Sequence, residues 1–170
     1  IAAVLDARAV FYNGFKLEGK MEDTFARAAE AGASVHAVAE RVQADLVLEE
    51  APGITDPHLW MAPLAWAAAL DVVRDALVEI APESTDLFSA NRDEYRTKLD
   101  GLLEYAQRVV LTVPEPARVL ITAHDAFGYF GVRFGFEVEG IQGISTESEA
   151  GVRDINRLRD MIVSRRIPAV

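Results

Sequence analysis

Two histidines carry the most chemistry in this sequence. His58 sits in Thr55-Asp56-Pro57-His58-Leu59-Trp60, and His124 in Val119-Leu120-Ile121-Thr122-Ala123-His124-Asp125-Ala126-Phe127. Each ends an apolar segment at the point where a helix should begin. Only three His occur in 170 residues, so two in matched settings suggest a shared purpose. Neutral imidazole is a common ligand for zinc, copper, iron and nickel, and in α/β folds ligands gather outside the carboxyl ends of strands. The residues therefore suggest one metal held between two lobes, with His58 and His124 among its ligands. A lone histidine at a helix start is more often a cap or packing residue. The two are far apart in sequence and carry no local signature such as His-Glu-x-x-His, so their pairing is an inference about folding.

The surroundings of each histidine set further expectations. Asp56 and Pro57 should turn the chain tightly and present the His58 imidazole outward, with Trp60 packed beneath. His124 follows an apolar strand and precedes Asp125, a candidate helix cap. His36, in Ser34-Val35-His36-Ala37-Val38, has no neighbours that support ligation and reads as an ordinary strand or surface residue. Gly140-x-x-Gly143 with Ser145-Thr146 is a faint anion-loop pattern without the lysine of a phosphate loop. Glu147 and Glu149 suit the first turn of a helix, where acids favour the macrodipole. No serine occupies a nucleophile elbow, and no catalytic residue is assigned.

Positioning these residues falls to alternating strands and helices. Ala7 to Asn13 reads as a short strand closed by Gly14. Leu17 to Ala31 has helical spacing, with Met21, Phe25 and Ala28 on one side and Gly32 as its stop. Ser34 to Val38 reads as a second strand, and Asp45 to Thr55 as an acidic loop. Pro63 to Ile80 is a helix with Pro at its start and Trp66, Leu70, Val73 and Leu77 on one face. Ser84 or Thr85 can cap the next helix, which meets no proline before Pro114. Its length could reach about 28 residues, roughly 42 Å. A helix this long could bridge two lobes or form one arm of a bundle. Arg118 to Ala123 reads as a buried-type strand, and Asp125 to Phe134 as a helix stopped by Gly135. Phe136 to Ile144 is a further strand. A helix over Glu147 to Arg165 should turn Val152, Ile155, Leu158, Met161 and Ile162 inward, and Ile167 should begin a third strand. Strand and helix alternate on both sides of the long helix, which favours α/β lobes with parallel sheets.

Composition narrows the function. A hydrophobic fraction of 51% supports a core, and 26% charged residues argues against disorder. With 17 Lys+Arg against 27 Asp+Glu the formal charge is −10, and no basic stripe for nucleic acid is visible. The sequence has no cysteine, which removes disulfide partners, thiolate metal sites and cysteine nucleophiles. No run of about 20 apolar residues spans a membrane. The chain opens without Met, as if mid-helix, and closes on what reads as a starting strand, so a fragment of a longer protein is expected.

Four segments in order match something specific: Val10-Phe11-Tyr12-Asn13-Gly14-x-x-Leu17-Glu18; Asp56-Pro57-His58-x-Trp60; Thr122-Ala123-His124-Asp125-Ala126-Phe127-Gly128-Tyr129-Phe130; and Gly140-Ile141-Gln142-Gly143-Ile144-Ser145-Thr146-Glu147-Ser148-Glu149-Ala150. The set resembles the zinc/manganese solute-binding proteins of ABC importers. This resemblance spans nearly all of the chain and implies two small α/β lobes with parallel sheets, joined by one long backbone helix, with the metal clamped between them. It divides the chain into an N-terminal lobe over 1–83, a linking helix over 84–113 and a C-terminal lobe over 114–170, both lobes incomplete. It implies metal ligation by His58 and His124, with a further histidine before Ile1 and a carboxylate beyond Val170. His124 stands where manganese-leaning members often carry Glu, which favours zinc, with manganese or iron close behind. A short loop before Asp56, lacking the His-rich tract of zinc-dedicated members, points the other way.

The implied protein is a monomeric receptor, periplasmic or lipid-anchored, that delivers its ion to an importer permease and breaks no bond. A rigid backbone helix should limit closure to small lobe rotations, and acid should release the ion by protonating both imidazoles. Two rivals share the histidines. A metal-dependent hydrolase would need a third protein ligand, an open coordination position and a base near the metal. An adhesin-like surface protein could keep the fold and the metal without transport.

Overall fold

The computed structural model describes residues 2–143, 151–165 and 167. They form two compact units, Ile1–Leu103 and Glu104–Val170. Both are α/β, and each is built on a two-stranded parallel sheet.

The first unit opens with α1 (Ala2–Leu5), β1 (Ala9–Tyr12), α2 (Glu22–Glu30) and β2 (Ser34–Ala37). β1 and β2 run parallel, with Val10 opposite Val35 and Phe11 opposite His36. Parallel neighbours need a crossover, and α2 supplies it. Phe25 and Ala28, on one face of α2, pack on Val10 to make the core beneath this sheet. Met21 does not join them. It lies exposed in a 3-10 turn (Gly19–Met21) that precedes α2, whose tighter period carries it off the helical stripe.

The acidic segment before His58 is more ordered than a loop. Around a turn at Pro52-Gly53 it folds into an antiparallel pair, β3 (Glu49–Ala51) with β4 (Ile54–Thr55). α3 follows over Pro63–Ile80, with proline at its first position as expected. Its buried residues are Ala65, Ala67, Ala69 and Ala76, whereas Trp66, Leu70, Val73 and Leu77 are half-buried. α3 packs on β2 and on the 3-10 turns Ala39–Arg41 and Leu59–Met61. Small side chains at that contact let the backbones approach closely, and the larger residues flank it. α4 (Thr85–Val110) has 26 residues, about 39 Å at the α-helical rise. The division between the two units falls within it. The Thr85 hydroxyl donates to the Pro82 carbonyl of the preceding 3-10 turn.

The second unit holds β5 (Val119–His124), α5 (Gly128–Phe134), β6 (Glu137–Gln142) and α6 (Val152–Arg165). β5 and β6 run parallel, from Val119 opposite Glu137 to His124 opposite Gln142. The expected burial of β5 is not met: its residues are half-buried, with Ala123 exposed, since β6 is its one partner among the described residues. α5 begins three residues later than Asp125, so Phe127 rather than Asp125 holds the cap position, and Gly135 ends it. On α6, Leu158 is buried and Met161 and Ile162 half-buried, but Val152 and Ile155 are exposed. Two exposed ion pairs, Arg157–Glu139 and Arg165–Glu137, link α6 to β6. The readings made for Ser145-Thr146, Glu147 and Glu149 lie outside the described residues, as does the strand expected to begin at Ile167 beyond that first residue. Ile167 itself is in no strand.

Candidate metal centre

His58 enters the 3-10 turn Leu59–Met61 at its cap position. One oxygen of Asp56 accepts from two groups of this residue: the backbone N–H at 2.8 Å and the ring Nδ1 at 2.7 Å. The carboxylate oxygen accepts, so Nδ1 carries a proton. Neutral imidazole with one N–H held by a carboxylate is the usual preparation of a metal-ligating histidine.

The ring does not point outward as expected. His58 is 3% exposed and Asp56 4%, because the double bond to one oxygen folds the ring back over its own turn. Trp60 meets the imidazole edge-on at 5.3 Å and remains the more exposed of the two. The residue buried beneath this segment is Leu59, which is wholly inaccessible.

A second support comes from β1. Asn13, which follows that strand, is 8% exposed and donates from Nδ2 to the Pro57 carbonyl at 2.9 Å and to the Gly14 carbonyl at 3.1 Å. The loop after it carries three consecutive left-handed residues, Gly14 (φ 93), Phe15 (φ 52) and Lys16 (φ 63). Left-handed backbone costs non-glycine residues roughly 1–2 kcal/mol each, so something must hold it. Two carboxylates do. Glu18 accepts from the N–H groups of Asn13 (2.7 Å) and Gly14 (3.1 Å), and Glu40 from that of Phe15 (2.8 Å). Gly14 is required twice over, by its φ and because a Cβ there would lie 2.9 Å from Glu40 Cγ. Sequence reasoning missed these roles of Asn13, Glu18, Glu40 and Asp56. The signal available was the short spacing of Asn13, Gly14 and Glu18, which permits a carboxylate to cap the turn that it follows.

His124 is the last residue of β5, inside the strand and not after it. Its carbonyl accepts from the Thr122 hydroxyl at 2.8 Å, and the next N–H, of Asp125, donates to the Gln142 carbonyl at 3.0 Å. This is how Asp125 is used on its backbone side, in place of the helix cap. Gly140 lies against the same turn. A Cβ there would sit 2.5 Å from Asp125 N and 2.6 Å from the Gln142 oxygen, so the ladder closes only because position 140 has no side chain.

His36 is in a strand, as read, but it is buried and not on the surface. It stacks on Phe11 with ring centroids 5.3 Å apart. The Arg41 guanidinium, which can only donate, lies 2.6 Å from Nδ1, so Nδ1 accepts and Nε2–H donates to the Ser34 hydroxyl at 2.7 Å. Burial, and then the charge of Arg41, hold its pKa below the usual histidine value.

His58 thus belongs to the first unit and His124 to the second. Among the described residues no three His, Asp or Glu side chains are gathered as a metal cluster. No described helix is long and apolar enough to cross a membrane.

Residues 1–170 match the family described as zinc-uptake complex component A, periplasmic. The chain belongs to this family. It is 39% identical over 168 residues to the manganese-binding lipoprotein MntA of Bacillus subtilis (strain 168), a match covering 98% of the chain and 55% of that protein. To the zinc-binding protein TroA of Treponema pallidum (strain Nichols) it is 39% identical over 167 residues, covering 97% of the chain and 53% of TroA. The solved structure of the periplasmic zinc-binding protein TroA superposes with a TM-score of 0.92 at 36% identity, over 97% of the chain and 59% of that structure. The chain spans about half the length of the curated relatives it matches. The family is one of metal-binding substrate receptors of ABC transporters, periplasmic or lipid-anchored, and not of enzymes.

Proposed function

We propose that the protein is an extracytoplasmic receptor that captures a divalent transition metal, zinc first and manganese or iron next, and hands it to the permease of an ABC importer. His58 and His124 supply imidazole ligands to the ion. The observation that supports this reading is the Asp56–His58 pair, a buried imidazole whose Nδ1 is held 2.7 Å from a carboxylate oxygen, the arrangement that orients a metal-ligating histidine. Residues 1–83 and 114–170 act as two lobes and 84–113 as the helix that links them. The receptor works as a monomer and binds no nucleic acid. Relatives named for manganese and for zinc are equally identical to this chain, so identity does not rank the metals. The nitrogen ligands do, because imidazole binds zinc more tightly than manganese.

The test is calorimetric titration of the full-length, chelator-stripped protein with zinc and then with manganese, with a thermal melt of each form. One-to-one binding, tighter for zinc and accompanied by a raised melting temperature, is expected. Absence of binding by either ion would overturn the reading.

A further inference from the structure

The Asn13 carboxamide touches the backbone that carries His58, and the loop that begins at Asn13 is held by two carboxylates, yet Asn13 is on neither side of the Asp56–His58 pair. Its Nδ2 spans from the end of β1 to the Pro57 carbonyl, immediately before His58. Its backbone N–H and those of the next two residues are held by Glu18 and Glu40, which fix a loop of left-handed residues that would otherwise relax. Its Oδ1 is buried and has no hydrogen-bond partner among the described residues. Buried acceptors are almost always paired, and an orphan beside a ligand segment calls for a donor.

We propose that Asn13 is a positioning residue for metal capture. Nδ2 fixes the Pro57–His58 backbone, and Oδ1 accepts from a donor that arrives with the loaded site, a metal-bound water or the N–H of another imidazole ligand. Glu18 acts one step further out, by holding Asn13. This rests on His58 being a ligand. It differs from simple core packing because removing Asn13 changes how the ion is held as well as how stable the chain is. Outer-shell partners of metal ligands typically contribute about 10–100-fold in affinity, which sets the size of the effect.

The experiment uses the full-length protein, with zinc for affinity by chelator competition and cobalt(II) as the spectroscopic probe. Asn13→Ala and Asn13→Asp are measured beside His58→Ala, with a melt of each metal-free form. The expected result for both Asn13 variants is a cooperative melt, zinc affinity reduced about 10–100-fold, and an altered visible spectrum of bound cobalt. Wild-type affinity and spectrum in a folded Asn13 variant would overturn the proposal while leaving His58 as a ligand. Wild-type affinity in His58→Ala would instead overturn the ligand assignment on which it rests. If the Asn13 variants fail to fold, Glu18→Gln decides. That change keeps an acceptor oxygen but weakens the hold on Asn13, and it should lower zinc affinity and shift the cobalt spectrum in the same direction. An unchanged Glu18→Gln protein would contradict the proposal.

Discussion

The segments that carry His58 and His124 are immobilised in different ways. Around His58 the work is done by side chains: Asp56 takes both N–H groups of the residue, Asn13 anchors the carbonyl before it, Glu18 holds Asn13, and Glu40 holds the loop at Phe15. Around His124 the main chain contributes strand pairing with Gln142 and the Asp125 N–H that extends it over Gly140. The His58, Asp56 and Asn13 side chains are buried, whereas His124 is half-buried beside a close backbone approach at Gly140. The contrast teaches that the His58 segment should be sensitive to charge and hydrogen-bond changes, and the His124 segment to added volume.

The sharpest break of that comparison is Asp56→Asn. It keeps the shape but replaces the carboxylate that receives the His58 N–H groups with an amide, so zinc affinity of the full-length protein should fall about 10–100-fold by chelator competition. Added volume is the converse probe. Gly140→Ala places a methyl against the Asp125–Gln142 backbone and should destabilise the fold by about 1–3 kcal/mol in urea unfolding. Gly14→Ala meets Glu40 and Ala37 at a left-handed φ and should fall in the same range. A tolerated Gly140→Ala would remove the steric account of the His124 turn.

A smaller effect comes from acid. His36 has a folded-state pKa below its unfolded value, so the unfolded chain binds the extra proton. Its stabilising effect is complete above about pH 6.5 and declines as the pH falls through that value toward the folded pKa. The urea midpoint of the metal-free protein should therefore drop between pH 7.5 and pH 5, and His36→Gln should flatten that slope. The smallest change is expected from Lys98→Ala. It removes an exposed i,i+4 contact with Glu94 on α4 and should leave both zinc affinity and melting temperature unchanged.

Where the chain announces its elements locally, the sequence was legible. Pro63 and Pro82 bracket α3, the proline-free run to Val113 marks α4, and Gly135 ends α5. Both histidines were visible as candidates from their segments alone. What could not be read depends on contacts distant in sequence. The His58 ring turns inward because Asp56 accepts twice, and its carbonyl neighbour is held from Asn13, far upstream. The alanine face of α3 was hidden by the larger residues beside it, since periodicity reports hydrophobicity and not how closely two backbones approach. The need for glycine at 140 was equally invisible, because it comes from Asp125, fifteen residues earlier, which only the paired strands bring near.

Zinc affinity of the full-length protein, measured by chelator competition for the parent, His58→Ala and His124→Ala, tests the central claim most directly. Both single variants are expected to lose at least about 100-fold, beyond the range of outer-shell changes, while still melting cooperatively. Parent-like zinc binding by either folded variant would contradict the assignment of that histidine as a ligand, and parent-like binding by both would remove the site.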